Sequence, residues 1–70
     1  MNRTIESYKQ DLIYLTDSLY YSDLILEECI QLAYSTSEPL DHYYNFSINQ
    51  LKFGITPANV LNKLQLTNKK

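Results

Sequence analysis

The chain has one glycine, one cysteine, two prolines and no tryptophan among its 70 residues, and these shortages exclude several kinds of site. Cys29 has no second cysteine to pair with, so no disulfide can form within the chain. Cys29 and His42, the only histidine, cannot supply the four ligands of a structural zinc site. Gly54 alone cannot build a glycine-rich loop that holds phosphate. Because a chain of this length buries only a modest core, we expect tight helix packing and a homodimer.

Acidic residues are missing from the last 29 positions, since all eight lie between Glu6 and Asp41. Residues 1–41 have a net charge of −6, whereas residues 42–70 contain four lysines, no acids and a net charge of +4. The two halves therefore differ in surface charge, which limits what each can attract. We expect the acidic half to suit a basic partner and the basic half to be the one suited to nucleic acid.

Long apolar segments are also missing. The run Leu24–Leu26 is far shorter than the about 20 residues that cross a bilayer. The N-terminal segment Met1–Tyr8 has no apolar stretch of the signal-peptide type. We therefore expect a cytoplasmic protein without membrane association.

A helical pattern begins near the N-terminus, since neither glycine nor proline occurs before Pro39. Apolar side chains recur there at alternating spacings of three and four, which is typical of a helix that packs nearly parallel to another. They are Ile5, Tyr8, Leu12, Leu15 and Leu19. Thr4 can cap this helix, and Glu6 suits the positive end of its dipole. We expect this seam to be buried and to form the interface of a homodimer.

The end of the first helix can be placed in two ways. Residues 21–23 offer a cap for a second helix over about 24–34, and we favour this break because a helix of about 30 residues is unusual in so small a protein. The alternative is a single helix over 5–34, since the apolar spacing continues through Ser22. The following side chains are expected to face inward: Ile25, Leu26, Cys29, Ile30, Leu32 and Ala33.

A loop over residues 35–39 separates the second helix from a third. Ser37 can cap the third helix, and Pro39 can occupy its first turn, where a missing amide hydrogen has little cost. Gly54 suits the left-handed position after this helix. Leu40 and Leu51 belong to its apolar side.

The fourth helix is expected over about 57–66, with Thr56 as its cap and Pro57 at its first position. Val60, Leu61 and Leu64 should face inward. We expect residues 67–70 to form a flexible tail. The sequence thus predicts a single all-α domain over residues 1–70, a compact bundle of three or four short antiparallel helices.

Few side chains could carry catalysis. Asp41 and His42 are neighbours on a helix, point about 100° apart and do not orient one another. Cys29 lies on an apolar face, where a small buried thiol is the expected role. Glu27 and Glu28 point to different sides and do not form an acid–base pair. We therefore expect no enzymatic activity, no cofactor and no metal.

Seven tyrosines cannot all face inward in so small a bundle, and exposed tyrosine is favoured at protein interfaces. We expect one ring of each pair, Tyr20–Tyr21 and Tyr43–Tyr44, to face outward. With the acids of the first half, this predicts a surface for a basic protein partner: Asp11, Tyr14, Asp17, Tyr21, Asp23, Glu27 and Glu28. The expected role is that of an inhibitor, anti-repressor or adaptor, such as phages and mobile elements encode.

A second hypothesis is a DNA-associated accessory protein that uses the basic helical hairpin over residues 40–66. Its candidate contacts are Lys52, Asn59, Asn62 and Lys63. This segment contains no arginine, the residue that most often reads bases, and useful affinity requires several phosphate contacts. We therefore rank this hypothesis second.

Two family resemblances overlap in the same helices. Residues 25–60 resemble the C-terminal helical domain of DnaD-type replication proteins, through Glu28–Ala33 and Gly54–Thr56. Residues 40–70 resemble the helical hairpin of the Sin anti-repressors, through Ile55–Pro57 and the helix after it, which implies a module that sequesters a DNA-binding partner. Because both cover the same residues and share a helix–turn–helix pattern, we assign the chain to neither family.

Overall fold

The computed structural model describes residues 3–68, which form four α-helices and, within that range, no strand. The helices are α1 (Ile5–Thr16), α2 (Leu19–Thr36), α3 (Leu40–Lys52) and α4 (Pro57–Asn68). The all-α bundle expected from the sequence is confirmed, with 83% of the structure helical and a Cα radius of gyration of 11.0 Å. None of the described helices has both the length and the apolar character needed to cross a bilayer.

Successive helices run in opposite directions. Between α2 and α3, the hydroxyls of Thr36 and Tyr43 lie 2.8 Å apart near the loop, and Cys29 Sγ lies 3.5 Å from Ser47 Oγ further along. The links between helices are short, with two residues after α1, three after α2 and four after α3. Because α2 packs against each of the other three helices, it forms the centre of the bundle.

The break between α1 and α2 lies at Asp17 and Ser18, earlier than the expected 21–23. Asp17 adopts a left-handed conformation, with φ of 55°, and ends α1. The Ser18 hydroxyl accepts a hydrogen bond from the Tyr21 amide and caps α2. Ser22 is instead buried, and its hydroxyl donates to carbonyls of its own helix. Two helices are thus present as favoured, but the predicted position of the break was wrong.

The loop between α2 and α3 uses its residues differently from the prediction. Ser37 is left-handed, with φ of 61°, and ends α2 instead of capping α3. Pro39 is the residue before α3, in an extended conformation and without a side-chain hydrogen bond to the helix. The prediction of Ser37 as an N-cap was wrong because α2 continues to Thr36 and needs a left-handed residue there.

The turn between α3 and α4 follows the prediction. Gly54 has a φ of 87°, a value that favours glycine. The Thr56 hydroxyl accepts a hydrogen bond from the Asn59 amide, and Pro57 begins α4. The helix continues through Thr67 and Asn68, and the last two residues of the expected tail lie outside the described residues.

The core is formed by side chains from all four helices: Tyr8, Leu12, Ile25, Leu26, Cys29, Leu32, Tyr43, Tyr44, Val60 and Leu64. Three residues expected inside are exposed, namely Ile5 by 50%, Leu19 by 56% and Ile30 by 40%. Leu19 is the first residue of α2 and does not continue the α1 seam. Ile5 and Ile30 lie at the rim of the contact between α1 and α2, where neither helix covers them fully.

Both members of the Tyr43–Tyr44 pair are buried, so the expectation that one faces outward was wrong. The reason is that α3 packs on several sides. Tyr44 packs edge-to-face on Tyr8 of α1, with ring centroids 4.8 Å apart, whereas Tyr43 faces α2 and α4. The pair Tyr20–Tyr21 behaves as expected, since Tyr20 is exposed and Tyr21 is half-buried.

Candidate partner-binding surface

The residues predicted to bind a partner lie on separate sides of the bundle. Asp11 and Tyr14 line a groove between α1 and α3. Asp23 and Glu27 line another groove, between α1 and α2. The remaining predicted residues belong to neither groove.

The α1–α3 groove has a volume of about 300 Å³ and joins residues from both hypotheses. It is lined by Asp11, Tyr14, Leu15, Tyr44, Ile48 and Lys52. Tyr14 is almost fully exposed, so its ring is free to contact a partner. Lys52, predicted for nucleic acid, lies here on the side of α3 that faces α1.

Asp11, the acidic residue of this groove, already interacts with other residues of the same chain. Arg3 forms an ion pair with Asp11, and the guanidinium lies 4.3 Å from the ring centroid of Tyr8 and 4.7 Å from that of Tyr44. The Tyr44 hydroxyl donates a hydrogen bond of 2.5 Å to the same carboxylate. These contacts join the start of α1 to α3, and they compensate the charge of Asp11.

The protonation of this cluster follows from its contacts. The hydrogen bond from Tyr44 and the neighbouring Arg3 hold the pKa of Asp11 below its ordinary value. Burial, with the Asp11 carboxylate second, raises the pKa of Tyr44 to about 12. Asp11 is therefore ionised and Tyr44 neutral at neutral pH. We interpret Asp11 as a residue that fixes α1 to α3.

The α1–α2 groove is larger, with a volume of about 430 Å³. It is lined by Ile5, Glu6, Lys9, Asp23, Leu26, Glu27 and Ile30. Leu26 is buried and forms an apolar floor, while Ile5 and Ile30 are partly exposed at the rim. The groove thus offers both aliphatic surface and carboxylates to an occupant.

The charges of the α1–α2 groove are only partly balanced. Lys9 Nζ lies 3.0 Å from Asp23 Oδ1, and this carboxylate raises the pKa of Lys9. Glu6 and Glu27 form no ion pair with any residue in the described range 3–68. The groove therefore has an excess of two negative charges, on an exposed surface that a cation can reach.

The other predicted acids do not join this groove. Glu28 is five positions from Asp23, which places it about 140° further around α2. It is half-buried, and its Oε2 atom is buried without a hydrogen-bond partner among the described residues. Asp17 lies in the link after α1, and Tyr21 is half-buried at the start of α2.

The residues of the nucleic-acid hypothesis are only partly brought together. Asn59, Asn62 and Lys63 are all exposed on α4. Lys52 lies apart from them, in the α1–α3 groove. Of the four candidate contacts, α4 therefore contributes one lysine and two asparagines.

The candidate catalytic residues have unfavourable surroundings. Cys29 is fully buried, and burial raises the pKa of its thiol to about 11, so it is protonated at neutral pH. His42 is exposed, and its Nδ1 atom lies 4.0 Å from Oε2 of Glu38, which lies in the loop before α3. Within residues 3–68, no cluster of histidine, cysteine and acidic side chains has the geometry to hold a metal ion.

Sequence reasoning missed the apolar part of the α1–α2 groove. Ile5 and Ile30 fit the spacing of buried positions, so the pattern predicted them inside. The available signal was the neighbouring charge, since Glu6 follows Ile5 and Glu27 precedes Ile30 by three positions. Exposed aliphatic and acidic residues alternate on this side of the two helices.

No protein-family model, curated protein or solved structure matches the chain. The α1–α2 groove is therefore interpreted from its own chemistry.

Proposed function

We propose that the protein is a non-enzymatic regulatory protein that binds a basic, amphipathic segment of a protein partner in the α1–α2 groove. The observation that carries this proposal is that exposed aliphatic side chains and carboxylates without ion pairs line one shallow, open groove. By covering a basic segment of its partner, the protein acts as an inhibitor, anti-repressor or adaptor.

The apolar residues of the groove support a helix-in-groove mode of binding. Ile5, Leu26 and Ile30 form an aliphatic strip bordered by charged side chains. In such complexes, an amphipathic helix places apolar side chains at helical spacing into the groove. Burial of the exposed parts of Ile5 and Ile30 would then contribute to affinity.

The carboxylates support a basic occupant. Glu6 and Glu27 lie beside the aliphatic strip and can pair with lysine or arginine on the polar side of the helix. Such charge pairs accelerate association and discriminate against acidic partners more than they increase affinity. Binding should therefore weaken with added salt without being abolished, because the apolar contacts are not screened.

The other grooves suit this role less well. In the α1–α3 groove, the acid Asp11 is engaged by Arg3 and Tyr44. A groove of about 250 Å³ between α3 and α4 is lined by His42, Tyr43, Phe46, Leu64 and Thr67 and contains no carboxylate. Neither groove combines exposed aliphatic surface with free acids.

Capture of proteins from the native host with matched variants tests the proposal. Glu27→Lys reverses a charge in the groove, and Ile30→Ser removes an aliphatic contact. Glu38→Lys makes the same charge change outside the groove and serves as the control. We expect the wild-type and control proteins to capture the same basic protein and both groove variants to lose it. Equal capture by all four proteins would contradict the proposal.

A nucleic-acid arm of this experiment addresses the second hypothesis. The exposed Asn59, Asn62 and Lys63 on α4 favour it, although they provide few phosphate contacts. Anisotropy of a labelled random DNA duplex at low salt would reveal such binding. Tight binding that Lys63→Ala abolishes and Glu27→Lys preserves would favour the DNA hypothesis over the groove.

A further inference from the structure

We infer that, in the absence of a partner, the α1–α2 groove binds the outer face of α4 from a second copy of the chain. This inference rests on the proposed function, because it assigns an occupant to the same groove. The α4 helix of one copy would then compete with the partner for the α1–α2 groove of another copy.

The outer face of α4 has the chemistry that the groove requires. Lys63 and Leu66 are three positions apart, so they lie on one side of the helix. Leu66 is 62% exposed, so its own chain leaves most of the side chain uncovered. Residues 57–70 contain three lysines and no acid. Within the described helix the lysine is Lys63, so α4 presents one cation and one exposed aliphatic side chain on the same side, and the charge is opposite to that of the groove.

The fold prevents this contact within one chain. In the bundle, α4 packs against α2 and α3. Its C-terminal end meets α2 at Leu32, Ser35 and Thr36, whereas the groove uses the side of α2 that carries Asp23 and Glu27. The outer face of α4 points away from its own core and can reach a groove only on another copy.

The contact is therefore head-to-tail, with different surfaces on the two copies. Such an interface leaves one free groove and one free α4 face, so it extends into chains or closes into a ring. This differs from the two-fold homodimer expected from the α1 seam. Leu12 and Tyr8 of that seam are buried in the core of a single chain and are not available to a second copy.

Self-association and partner binding exclude each other in this arrangement. At high protein concentration more grooves are occupied by α4, so the apparent affinity for a partner falls. Added salt screens the charges between copies and shifts the protein toward the monomer.

Sedimentation velocity over a series of protein concentrations tests this inference. For the wild type, we expect the average mass to rise with concentration and to fall when salt is added. Glu27→Lys changes the groove and leaves α4 intact, whereas Lys63→Glu changes α4 and leaves the groove intact. Each variant alone should remain monomeric. A mixture of the two should form a one-to-one complex, since it contains one intact groove and one intact α4 face.

Two control variants make the same charge changes elsewhere. Glu38→Lys and Lys52→Glu should associate like the wild type, and circular dichroism should show that all variants are folded. A wild type that is monomeric at every concentration would overturn the inference, while the capture experiment would still decide the proposed function. Association of both variants alone, or a mixture that forms no complex, would also overturn it.

Discussion

Leu12 and Leu15 show how burial separates two residues that the sequence pattern treats alike. Leu12 has no exposed surface and lies among core side chains, whereas Leu15 is half-buried beside the α1–α3 groove. Leu12→Ala should cost about 2–5 kcal/mol of the free energy of unfolding, and Leu15→Ala should cost less. Urea denaturation of both variants measures the difference. Equal losses would mean that the whole seam is buried, for example in a dimer.

The Asp11 carboxylate should make stability depend on pH in the acid range. Its pKa is lowered in the folded state by the hydrogen bond from Tyr44 and by Arg3. The stabilisation is therefore present above the ordinary value of 3.8 and is lost as the pH falls through the folded pKa. Asp11→Asn should lower the melting temperature at neutral pH, and its difference from the wild type should shrink as the pH falls below 3.8.

Glu27→Gln provides the control for this pH prediction, since Glu27 is exposed and forms no ion pair among the described residues. Its melting temperature should follow that of the wild type across the range. A difference between Asp11→Asn and the wild type that stays constant down to low pH would show that Asp11 does not stabilise the fold through its charge.

At the scale of the helices, the sequence offers two serines, Ser18 and Ser22, that could cap the start of α2. Ser18 caps the helix through its hydroxyl, whereas the Ser22 hydroxyl donates to the carbonyls of Ser18 and Leu19. Ser18→Ala should therefore cost about 1 kcal/mol, while Ser22→Ala should cost less because no orphan amide loses its partner. Thermal denaturation of the two variants distinguishes them. A larger loss for Ser22→Ala would place the start of the helix where the sequence first suggested.

The turn between α3 and α4 depends on the conformational freedom of Gly54. A Cβ at this position would have no atom within 4 Å beyond those of its two chain neighbours, so the cost of a side chain arises from the positive φ. Gly54→Ala should cost about 1 kcal/mol, and Gly54→Asn less, because asparagine tolerates this conformation better. Partner binding should be unchanged at low temperature. A loss of affinity without a loss of stability would make the turn the recognition element.

The turn between α3 and α4 was predictable from the sequence, because its residues have strong preferences for particular positions at helix ends. Gly54, Thr56 and Pro57 each suit one position of a helix end, and together they located the turn. The link after α2 was located within residues 35–39, but the position of the link after α1 and the role of Ser37 were wrong, because Asp17 and Ser37 each end a helix in a left-handed conformation that their residue types only tolerate. Local sequence offered other serines as caps, and only the packing of the helices decided between them.

At the scale of the molecule, the charge polarity of the sequence maps onto the helices. The acidic half comprises α1, α2 and the first turn of α3, and the basic half comprises the rest. Asp23 and Glu27 of the candidate surface were predictable from this polarity. The separation of these two residues from Asp11 was not predictable, because it depends on which sides of α1 are covered by α2 and by α3. The exposure of Ile5 and Ile30 likewise depends on the pairing of α1 with α2.

The most direct test of the central claim is an amide NMR titration of the labelled protein with the captured partner. We predict that the largest shifts fall on residues of the α1–α2 groove, including Glu6, Glu27 and Ile30. The shifts should be absent when Glu27→Lys is titrated and retained with Glu38→Lys. Shifts confined to α4 around Asn59 and Lys63, with the groove unchanged, would contradict the account.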